Sequence, residues 1–227
     1  MPTRPPTTYP PILDDDRSRR FAARYDDSYA GAERSFLGDL RRSLIAQLSG
    51  HVLEIGAGTG ANVPWYARNP RLTAVDLVEP LGSMRALLSH RVAMTSPAPG
   101  QRLRVAEGRG EALPHADASV DAVVATMVLC SVADVAATLR EIRRVLRPDG
   151  VFAFVEHTRS AGPRRLLQHA LTPMAVRHAA GCHYDRDTLE ALAAAGFARI
   201  DRVPVEAPWS HRLLPEWPIV AGQATVS

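Results

Sequence analysis

The middle of the chain alternates between short apolar runs and longer segments in which apolar residues recur every three or four positions. Short continuous apolar runs are typical of strands covered on both faces, and the longer period is typical of amphipathic helices. Strands are predicted at 51–55, 71–79, 102–108, 119–127 and 151–156, and helices within 60–68, 81–91 and 135–146. Pro148, Asp149 and Gly150 follow the last of these helices and predict its end. This alternation predicts a doubly wound α/β sheet of parallel strands.

Different patterns flank this alternating region. Residues 1–13 are rich in Pro and Thr and are predicted to be a flexible tail. Apolar side chains recur every four positions within 14–49, so we expect a helical lid there. The remaining predicted elements are a helical, substrate-side insertion at 162–183, a helix at 186–197 and two closing strands at 198–207 and 218–226. Residues 14–227 are expected to form one domain.

Composition narrows the class of protein. Apolar residues make up 46% and charged residues 22% of the 227 positions, as in an ordinary globular domain. The 27 basic residues are all arginine and lie among acidic residues, so no nucleic-acid-binding face is expected. The two cysteines do not form a disulfide framework, and no apolar run is long enough for a membrane span. We expect a cytoplasmic protein without integral membrane association.

A glycine cluster follows the first predicted strand and raises the question of a nucleotide cofactor. Gly56, Gly58 and Ala61 match the dinucleotide-binding fingerprint, which would suit NAD. Glu79 ends the second predicted strand, near the spacing at which an acid reaches an adenosine ribose. Asp76 is the competing acid, but it lies inside the apolar run, so we favour Glu79 for the ribose.

Glu54 distinguishes between two possible cofactors. It stands two positions before Gly56, where NAD would bring its anionic pyrophosphate. S-adenosylmethionine (SAM) carries an ammonium and a sulfonium and no phosphate, so a carboxylate here favours SAM over NAD.

These motifs resemble those of the class I SAM-dependent methyltransferases. VLEIGAGTG resembles the glycine-rich first motif, EPLGSM the ribose-binding acid with its helix, and RGEALPHADASVDAVVATMVLCSVAD the adenine loop with the fourth strand. The resemblance implies a Rossmann-like, seven-stranded sheet of order 3-2-1-4-5-7-6, with strand seven antiparallel and helices on both faces. More narrowly, GANVPWY, TMVLCSV and EH resemble the methyltransferase-like thiol S-methyltransferases and their bacterial relatives. Quinone C-methyltransferases and phospholipid N-methyltransferases are similar over the same core.

The resemblance also implies positions for the cofactor contacts. The methionine end of SAM would be lined by Gly56, Gly58 and Gly60, with support from Glu54 and Asn62. The ribose would be bound by Glu79, and the adenine would be bordered by Gly110, Glu111 and Ala112. The amine and the methyl group would lie near Thr126 and Met127.

Three positions depart from the family pattern. The Pro-rich tail stands where the animal relatives carry an apolar membrane anchor, which implies a soluble enzyme. Arg109 stands in the adenine loop where many members have an acid, and His183 stands where the relatives have Asn. These last two departures affect adenine and acceptor contacts.

Methyl transfer from a sulfonium requires alignment above all, and a base only where the acceptor must lose a proton. A thiol, with a pKa of about 8.5, is already partly ionised at neutral pH. Candidates for steering the acceptor are His157, His183, Tyr25 and Tyr29. Cys130 is interpreted as a small core residue, and the spacing of cysteine and histidine indicates no metal site. Leu166, Leu171, Met174 and Trp209 are expected to line either an apolar substrate pocket or the core.

The sequence therefore predicts a SAM-dependent methyltransferase of a small, lipophilic acceptor, with a thiol sulfur as the first expectation. A C-, O- or N-methyltransferase of a quinone, phospholipid or secondary metabolite is the alternative. An NAD-binding oxidoreductase and a non-catalytic SAM-binding module are less favoured alternatives.

Overall fold

A single seven-stranded sheet forms the centre of the computed structural model, which describes residues 9, 12, 14–214 and 217–226. The strands are β1 (Gly50–Ile55), β2 (Leu72–Val78), β3 (Arg102–Ala106), β4 (Val120–Thr126), β5 (Leu146–His157), β6 (Arg199–Val203) and β7 (Ile219–Thr225). Their order is β3-β2-β1-β4-β5-β7-β6. The strands β1 to β5 pair in parallel, and β7 runs antiparallel to β5 and β6. The predicted order and the antiparallel seventh strand are confirmed.

Helices cover both faces of this sheet. They are α1 (Asp16–Ala32), α2 (Gly38–Ile45), α3 (Val63–Ala67), α4 (Gly82–Ala93), α5 (Val135–Val145), α6 (Arg164–His178) and α7 (Thr188–Ala194). A π-helical turn, Glu33–Leu37, joins α1 to α2. No helix in the described part of the chain is long and apolar enough to cross a membrane.

Alternate residues of the central strands build two separate layers of core. On one face, Leu53 and Phe152 pack with α5 and α7 through residues such as Leu139 and Leu192. On the other face, the core of β1 and β2 packs against α2, α3 and α4. Tyr66 on α3 is a buried member of this core. Burial on both faces explains why these strands are nearly continuous apolar runs. The layers leave the carboxyl ends of the parallel strands uncovered by core.

The predicted boundaries differ most at β5, which begins at Leu146 and not at Val151. Leu146 pairs with Val120 and Val151 pairs with Ala122, so residues 147–150 form an irregularity within the strand. Helix α5 ends at Val145 and the chain enters the sheet at once, so Pro148 and Gly150, predicted to end the helix, lie within β5.

The prediction of a pocket or core position was wrong for three of the four apolar residues to which it applied, whereas Leu171 is partly buried. Leu166, Met174 and Trp209 are 66%, 56% and 74% exposed, so they belong neither to a pocket nor to the core. The inner face of α6 instead carries Gln168, which is fully buried, accepts a hydrogen bond from Ser160 N and donates one to a backbone oxygen. The backbone groups Ser160 N and Trp217 O would lack these hydrogen bonds without Gln168, so satisfying them contributes to the orientation of the helix.

The predicted tail at 1–13 lies outside the described residues apart from Tyr9 and Ile12. The assignment of 14–227 to one domain stays a prediction.

Candidate active site

A cavity of about 510 Å³ lies between α1 and the carboxyl ends of the parallel strands. Ligands of doubly wound sheets bind at this edge. The predicted site residues that line it are Tyr25, Tyr29, Gly56, Gly58, Glu79, Gly110, Glu111, Met127 and His157. We call this space the cofactor cavity.

The glycine loop after β1 forms the floor of the cofactor cavity. Gly56 and Gly58 both have φ of +58°, a conformation that residues with a Cβ rarely adopt. A Cβ on Gly56 would lie 2.5 Å from the side chain of Val128. A Cβ on Gly58 would meet nothing closer than the Gly56 oxygen at 4.0 Å, so it would project into open space. The loop can therefore approach a ligand through its backbone.

Glu79 ends β2 with its carboxylate held by this loop. Oε2 accepts a hydrogen bond from Gly58 N at 2.9 Å, and Oε1 accepts one from Leu81 N at 2.8 Å. The side chain is buried, and burial raises its pKa against the effect of these two bonds. Each oxygen retains a lone pair for a further donor. The residue is thus positioned to accept hydrogen bonds from a ribose diol.

Asp76, the competing acid, is engaged elsewhere and does not line the cofactor cavity. Its Oδ2 lies 2.9 Å from His51 Nε2 and 2.9 Å from His115 Nε2. Although burial acts to raise it, these two contacts hold the pKa of Asp76 below its usual value. The geometry favours Glu79 for the ribose.

Glu54 lies beneath the glycine loop and not in the cavity wall. Only 1% of the residue is exposed, and its Oε1 accepts a hydrogen bond from Asn62 Nδ2 at 2.7 Å. Its Oε2 is buried and makes no hydrogen bond of ordinary geometry among the described residues, although the Tyr66 hydroxyl is near enough to act on the pKa of Glu54. Burial raises the pKa of Glu54 to about 7, while Asn62 and Arg41 act to lower it. A buried carboxyl with an unmet oxygen fits a cationic ligand above it.

Arg41 is a site residue that sequence reasoning missed. It projects from α2 with 4% exposure, and its Nη1 donates to Asn62 Oδ1 at 3.1 Å and to Thr126 Oγ1 at 2.6 Å. Its Nη2 lies 2.9 Å from Glu33 Oε1. The signal was a charged residue on the apolar face of the helical segment. Its guanidinium partly balances Glu54, so the preference for a cation depends on both charges.

The residues predicted to border the adenine lie in the segment after β3. Gly110 and Glu111 line the cavity, and Glu111 Oε1 accepts a hydrogen bond from Ala133 N at 2.6 Å. This bond directs the carboxylate to the turn before α5. Ala112 forms an isolated bridge with Arg109 and lies outside the lining, whereas Arg109 is part of it.

The turn after β4 places Met127 in the cavity wall. Met127 has φ of +60°, which is uncommon for a residue with a side chain, and its N donates to Val155 O at 2.8 Å. The carboxyl of Glu156 accepts hydrogen bonds at 3.0 Å from Val128 N and Leu129 N. Burial, with a contribution from Cys130, raises the pKa of Glu156 well above its usual value. Glu156, also missed from the sequence, fixes this strained turn.

Cys130, His157 and Cys182 meet at the cavity wall, and we call them the thiol–imidazole cluster. Their ligating atoms all lie within 4.8 Å of one another, and Cys182 Sγ is 3.6 Å from His157 Nδ1. A backbone hydrogen bond of 2.8 Å from His183 N to Cys130 O brings the two cysteine segments together. Hydrogen bonding from Cys182, and further from His157, holds the pKa of Cys130 well below its usual value. Cys130 is buried, as predicted, but it is more than a core residue.

The other predicted site residues do not line the cofactor cavity, and of these Ala112 is exposed and His183 is half-buried. They are Glu54, Gly60, Asn62, Ala112, Thr126 and His183. A Cβ on Gly60 would lie 2.8 Å from Leu88, so this glycine serves the packing of the loop on α4. Asn62 and Thr126 connect Glu54 to Arg41. Burial raises the pKa of Tyr25, which lines the cavity, so its phenol stays protonated at neutral pH.

A second cavity of about 720 Å³ adjoins the first. The two cavities share five lining residues, which are Arg17, Phe21, Tyr29, Met127 and His178. The rest of the wall combines apolar and polar residues, including exposed arginines of α1; these residues are Arg20, Arg24, Ser28, Gly31, Ala32, Phe36, Leu37, His211, Leu214 and Ile219. We call this space the acceptor cavity.

Helix α1 covers the cofactor cavity and is attached on both sides of it. Asp14, just before the helix, accepts hydrogen bonds of 2.7 Å from Ser83 N and Ser83 Oγ at the start of α4. Asp26, within the helix, accepts one of 2.5 Å from Thr59 Oγ1 in the glycine loop and also binds Arg91.

Comparison with known proteins adds to this geometry. Residues 53–154 match the model of a methyltransferase domain family. The chain is 33% identical over 199 residues to the human thiol S-methyltransferase TMT1A, spanning 86% of this chain and 79% of that protein. It is 30% identical over 159 residues to a phosphatidylethanolamine N-methyltransferase of Cereibacter sphaeroides, spanning 68% and 74%.

Solved structures show the same fold. A SAM-dependent methyltransferase from Thermotoga maritima, described as a possible histamine N-methyltransferase, superposes with a TM-score of 0.66 at 20% identity. The match covers 93% of this chain and 99% of that one.

Proposed function

Because this chain belongs to the class I SAM-dependent methyltransferases and is related to the TMT1 thiol S-methyltransferases, we propose that it methylates the sulfur of a small, lipophilic thiol. Membership in this family makes SAM the methyl donor and removes the alternative of an NAD-dependent oxidoreductase.

The observation that carries the acceptor proposal is the junction of the two cavities at Met127. The acceptor cavity includes aromatic and aliphatic residues in its wall, which suit a lipophilic molecule, and it meets the cofactor cavity beside the strained turn. The exposed arginines in its wall suit a polar or anionic end that stays near solvent. The thiol is supported by the relatives named for that activity.

When bound, SAM supplies a methyl group on a sulfonium, so the reaction is an in-line displacement by the acceptor. The protein residues bind and orient the reactants. Glu79 would accept the ribose hydroxyls, and the backbone around Gly58 would follow the methionine end. Glu54, ionised, would favour the cationic centres from beneath the loop. Helix α1 would exclude water from the junction, which favours transfer to the acceptor over side reactions.

The acceptor needs little help from a base. A thiol with a pKa of about 8.5 is partly ionised at neutral pH, so positioning dominates. His157 is the histidine that both lines the cofactor cavity and was predicted to steer the acceptor. His183 lies outside that lining, and the protonated phenol of Tyr25 would act as a hydrogen-bond donor.

The test is transfer of labelled methyl from SAM to matched acceptors that share one apolar skeleton. The set comprises a thiol, a phenol, a quinol and an amine. We expect turnover of the thiol to exceed that of the others, and the labelled product to be a thioether. Turnover of the amine or the quinol with no thioether formed would reject the thiol in favour of an N- or C-methyltransferase.

Replacement of Glu79 tests the cofactor part of this proposal separately. Glu79→Gln should weaken SAM binding by about 1–3 kcal/mol, because the carboxylate bonds to the ribose and the loop are charge-assisted. Glu206→Gln, an exposed acid outside both cavities, is the matched control. Calorimetric titration with SAM measures both, and equal affinities would remove Glu79 from the ribose site.

A further inference from the structure

We propose that Cys130, Cys182 and His157 bind a zinc ion whose fourth coordination position opens into the methyl-transfer site.

The spacing of the cluster matches the requirements of tetrahedral zinc. With Zn–S near 2.3 Å and Zn–N near 2.05 Å, tetrahedral geometry places sulfur and nitrogen about 3.5 Å apart and two sulfurs about 3.8 Å apart. Cys182 Sγ and His157 Nδ1 are 3.6 Å apart. All three ligating atoms fall within 4.8 Å of one another, so small side-chain adjustments suffice to close the site.

The imidazole of His157 lacks good hydrogen bonds within the described part of the chain. The residue is 2% exposed, its Nε2 has no partner there, and its Nδ1 has the long contact with a thiol. The contact between Cys182 Sγ and His157 Nδ1 is what indicates a shared ligand, because the unpartnered Nε2 is the other ring nitrogen and not the proposed donor. Coordination through Nδ1 would supply one strong interaction in place of a weak one.

The charges around the cluster suit a dication held by two thiolates. Zinc with two thiolates and a neutral imidazole has no net charge, which suits a buried position. Arg186 lies close by, where its Nη1 donates to the carbonyls of Leu129 and Val132 at 2.7 Å, and its charge favours ionised thiols. Glu156, on the strand that carries His157, interacts electrostatically with Cys130.

Three protein ligands correspond to a reactive zinc site and not to a closed structural one, because a structural site usually has four. All three cluster residues line the cofactor cavity, so the remaining position faces that space. Sulfur and imidazole ligands select zinc over magnesium or calcium, which prefer oxygen.

The other histidine-containing cluster serves as a contrast. His51 and His115 each lie 2.9 Å from the same oxygen of Asp76, so this carboxylate already has two partners, although His115 Nδ1 is buried without a hydrogen bond among the described residues. They also lie outside both cavities. The thiol–imidazole cluster alone combines an unmet buried group with access to the reaction site among the described residues.

The role of the metal rests on the proposed thiol function. An acceptor RSH would bind zinc as RS⁻ and release its proton to solvent. The sulfur–methyl bond would form as the bond from the methyl carbon to the SAM sulfonium breaks, leaving S-adenosylhomocysteine and the thioether RSCH₃. The thioether carries no charge, is a poor ligand for zinc, and would leave the metal. In this arrangement His157 is a ligand and not a base.

The metal site is tested first without any acceptor. Protein purified with a non-thiol reductant should contain about one zinc per chain, and the metal-free protein titrated with Co²⁺ should develop thiolate-to-cobalt absorption and tetrahedral visible bands. Cys182→Ser and His157→Gln should lose these signals, while His90→Gln, an exposed histidine on α4, should retain them. Circular dichroism and thermal unfolding show whether each variant is folded.

The outcomes distinguish the site from the function. Absence of zinc and of cobalt bands in protein whose two thiols are reduced, or formation of a Cys130–Cys182 disulfide in place of metal binding, would overturn the site. A change in the cobalt bands when a thiol acceptor is added supports acceptor coordination, and unchanged bands refute it. Metal-free protein that methylates thiols at the full rate would refute the zinc role and leave the proposed function intact. Metal binding without thiol methylation would refute the proposed function and leave the site intact.

Discussion

The buried carboxyl of Glu54 predicts that SAM affinity depends on pH. Burial raises its pKa to about 7, although Asn62 and Arg41 oppose the shift. SAM carries a sulfonium and an ammonium, which an ionised Glu54 favours and a protonated one does not. Binding in acid must therefore displace a proton, so affinity should fall about tenfold for each pH unit below the pKa of Glu54. Above that pKa, affinity should level off until the ligand's α-amino group, with a pKa of about 8, loses its own proton.

Calorimetric titration with SAM at several pH values, in buffers of different ionisation enthalpy, measures both the affinity and the protons released. Glu54→Gln is neutral throughout and should bind SAM with an affinity that no longer falls in acid. Glu206→Gln, with its acid group exposed, should retain the profile of the wild type. An identical acid limb in wild type and Glu54→Gln would refute the argument, because some other group would then take up the proton.

The same carboxyl affects the stability of the protein without SAM in the opposite sense. Its pKa is about 7 in the folded state against an ordinary 4.5. The stability linked to this proton is fully present below the ordinary pKa and is lost as pH rises through the folded value. The difference corresponds to about 3 kcal/mol. Urea unfolding should show this loss in the wild type but not in Glu54→Gln, and equal pH dependence would contradict it.

Three further predictions follow from the fold. Arg41→Met leaves Glu33 and the Asn62–Thr126 pair without their cation, so it should lower the free energy of unfolding by about 3 kcal/mol in urea titrations. Arg42→Met is the control, because Arg42 is exposed on the same helix, and it should change this free energy by less than about 1 kcal/mol. Gly58→Ala and Gly100→Ala both place a Cβ at positive φ without a close contact, so both should lose about 1 kcal/mol of stability. Only Gly58→Ala should also weaken SAM binding, by tenfold or more in calorimetry. Equal SAM affinities would show that the loop does not approach the ligand. Although burial acts to raise it, hydrogen bonds from His115 and His51 keep the pKa of Asp76 in the folded protein below the ordinary 3.8. The stability that Asp76 contributes is therefore present above pH 3.8 and is lost as the pH falls through the pKa of the folded state. The unfolding free energy of Asp76→Asn should depend less on pH in acid than that of the wild type, and an unchanged dependence would refute this.

The sequence was sufficient to predict the position of a residue where the local backbone geometry and the function require the same residue type. Gly56 and Gly58 follow a buried strand and adopt positive φ, which few other residues tolerate. Glu79 stands where the second strand ends, and parallel strand ends meet at one edge. These constraints are local, so the floor of the cofactor cavity could be predicted.

The parts that failed depend on contacts between distant segments. Arg41 is one charged residue on an apolar helix face, and only the fold shows that it reaches Thr126. Cys130, His157 and Cys182 come from three separate loops or strand ends, and their spacing along the chain contains no metal signature. The orientation of α6 depends on backbone groups that Gln168 satisfies, which hydrophobic periodicity cannot reveal.

The position of α1 has a kinetic consequence. The cofactor cavity and the acceptor cavity both take part of their walls from this helix, through Phe21 and Tyr29. Because Asp14 and Asp26 keep the helix in place, we expect it to slow the exchange of both reactants. One opening event therefore admits the donor and releases both products, which couples their exchange in a single gating step. We expect turnover to be limited by that step, so that loosening the helix would raise the rate of product release at the cost of a weaker hold on SAM.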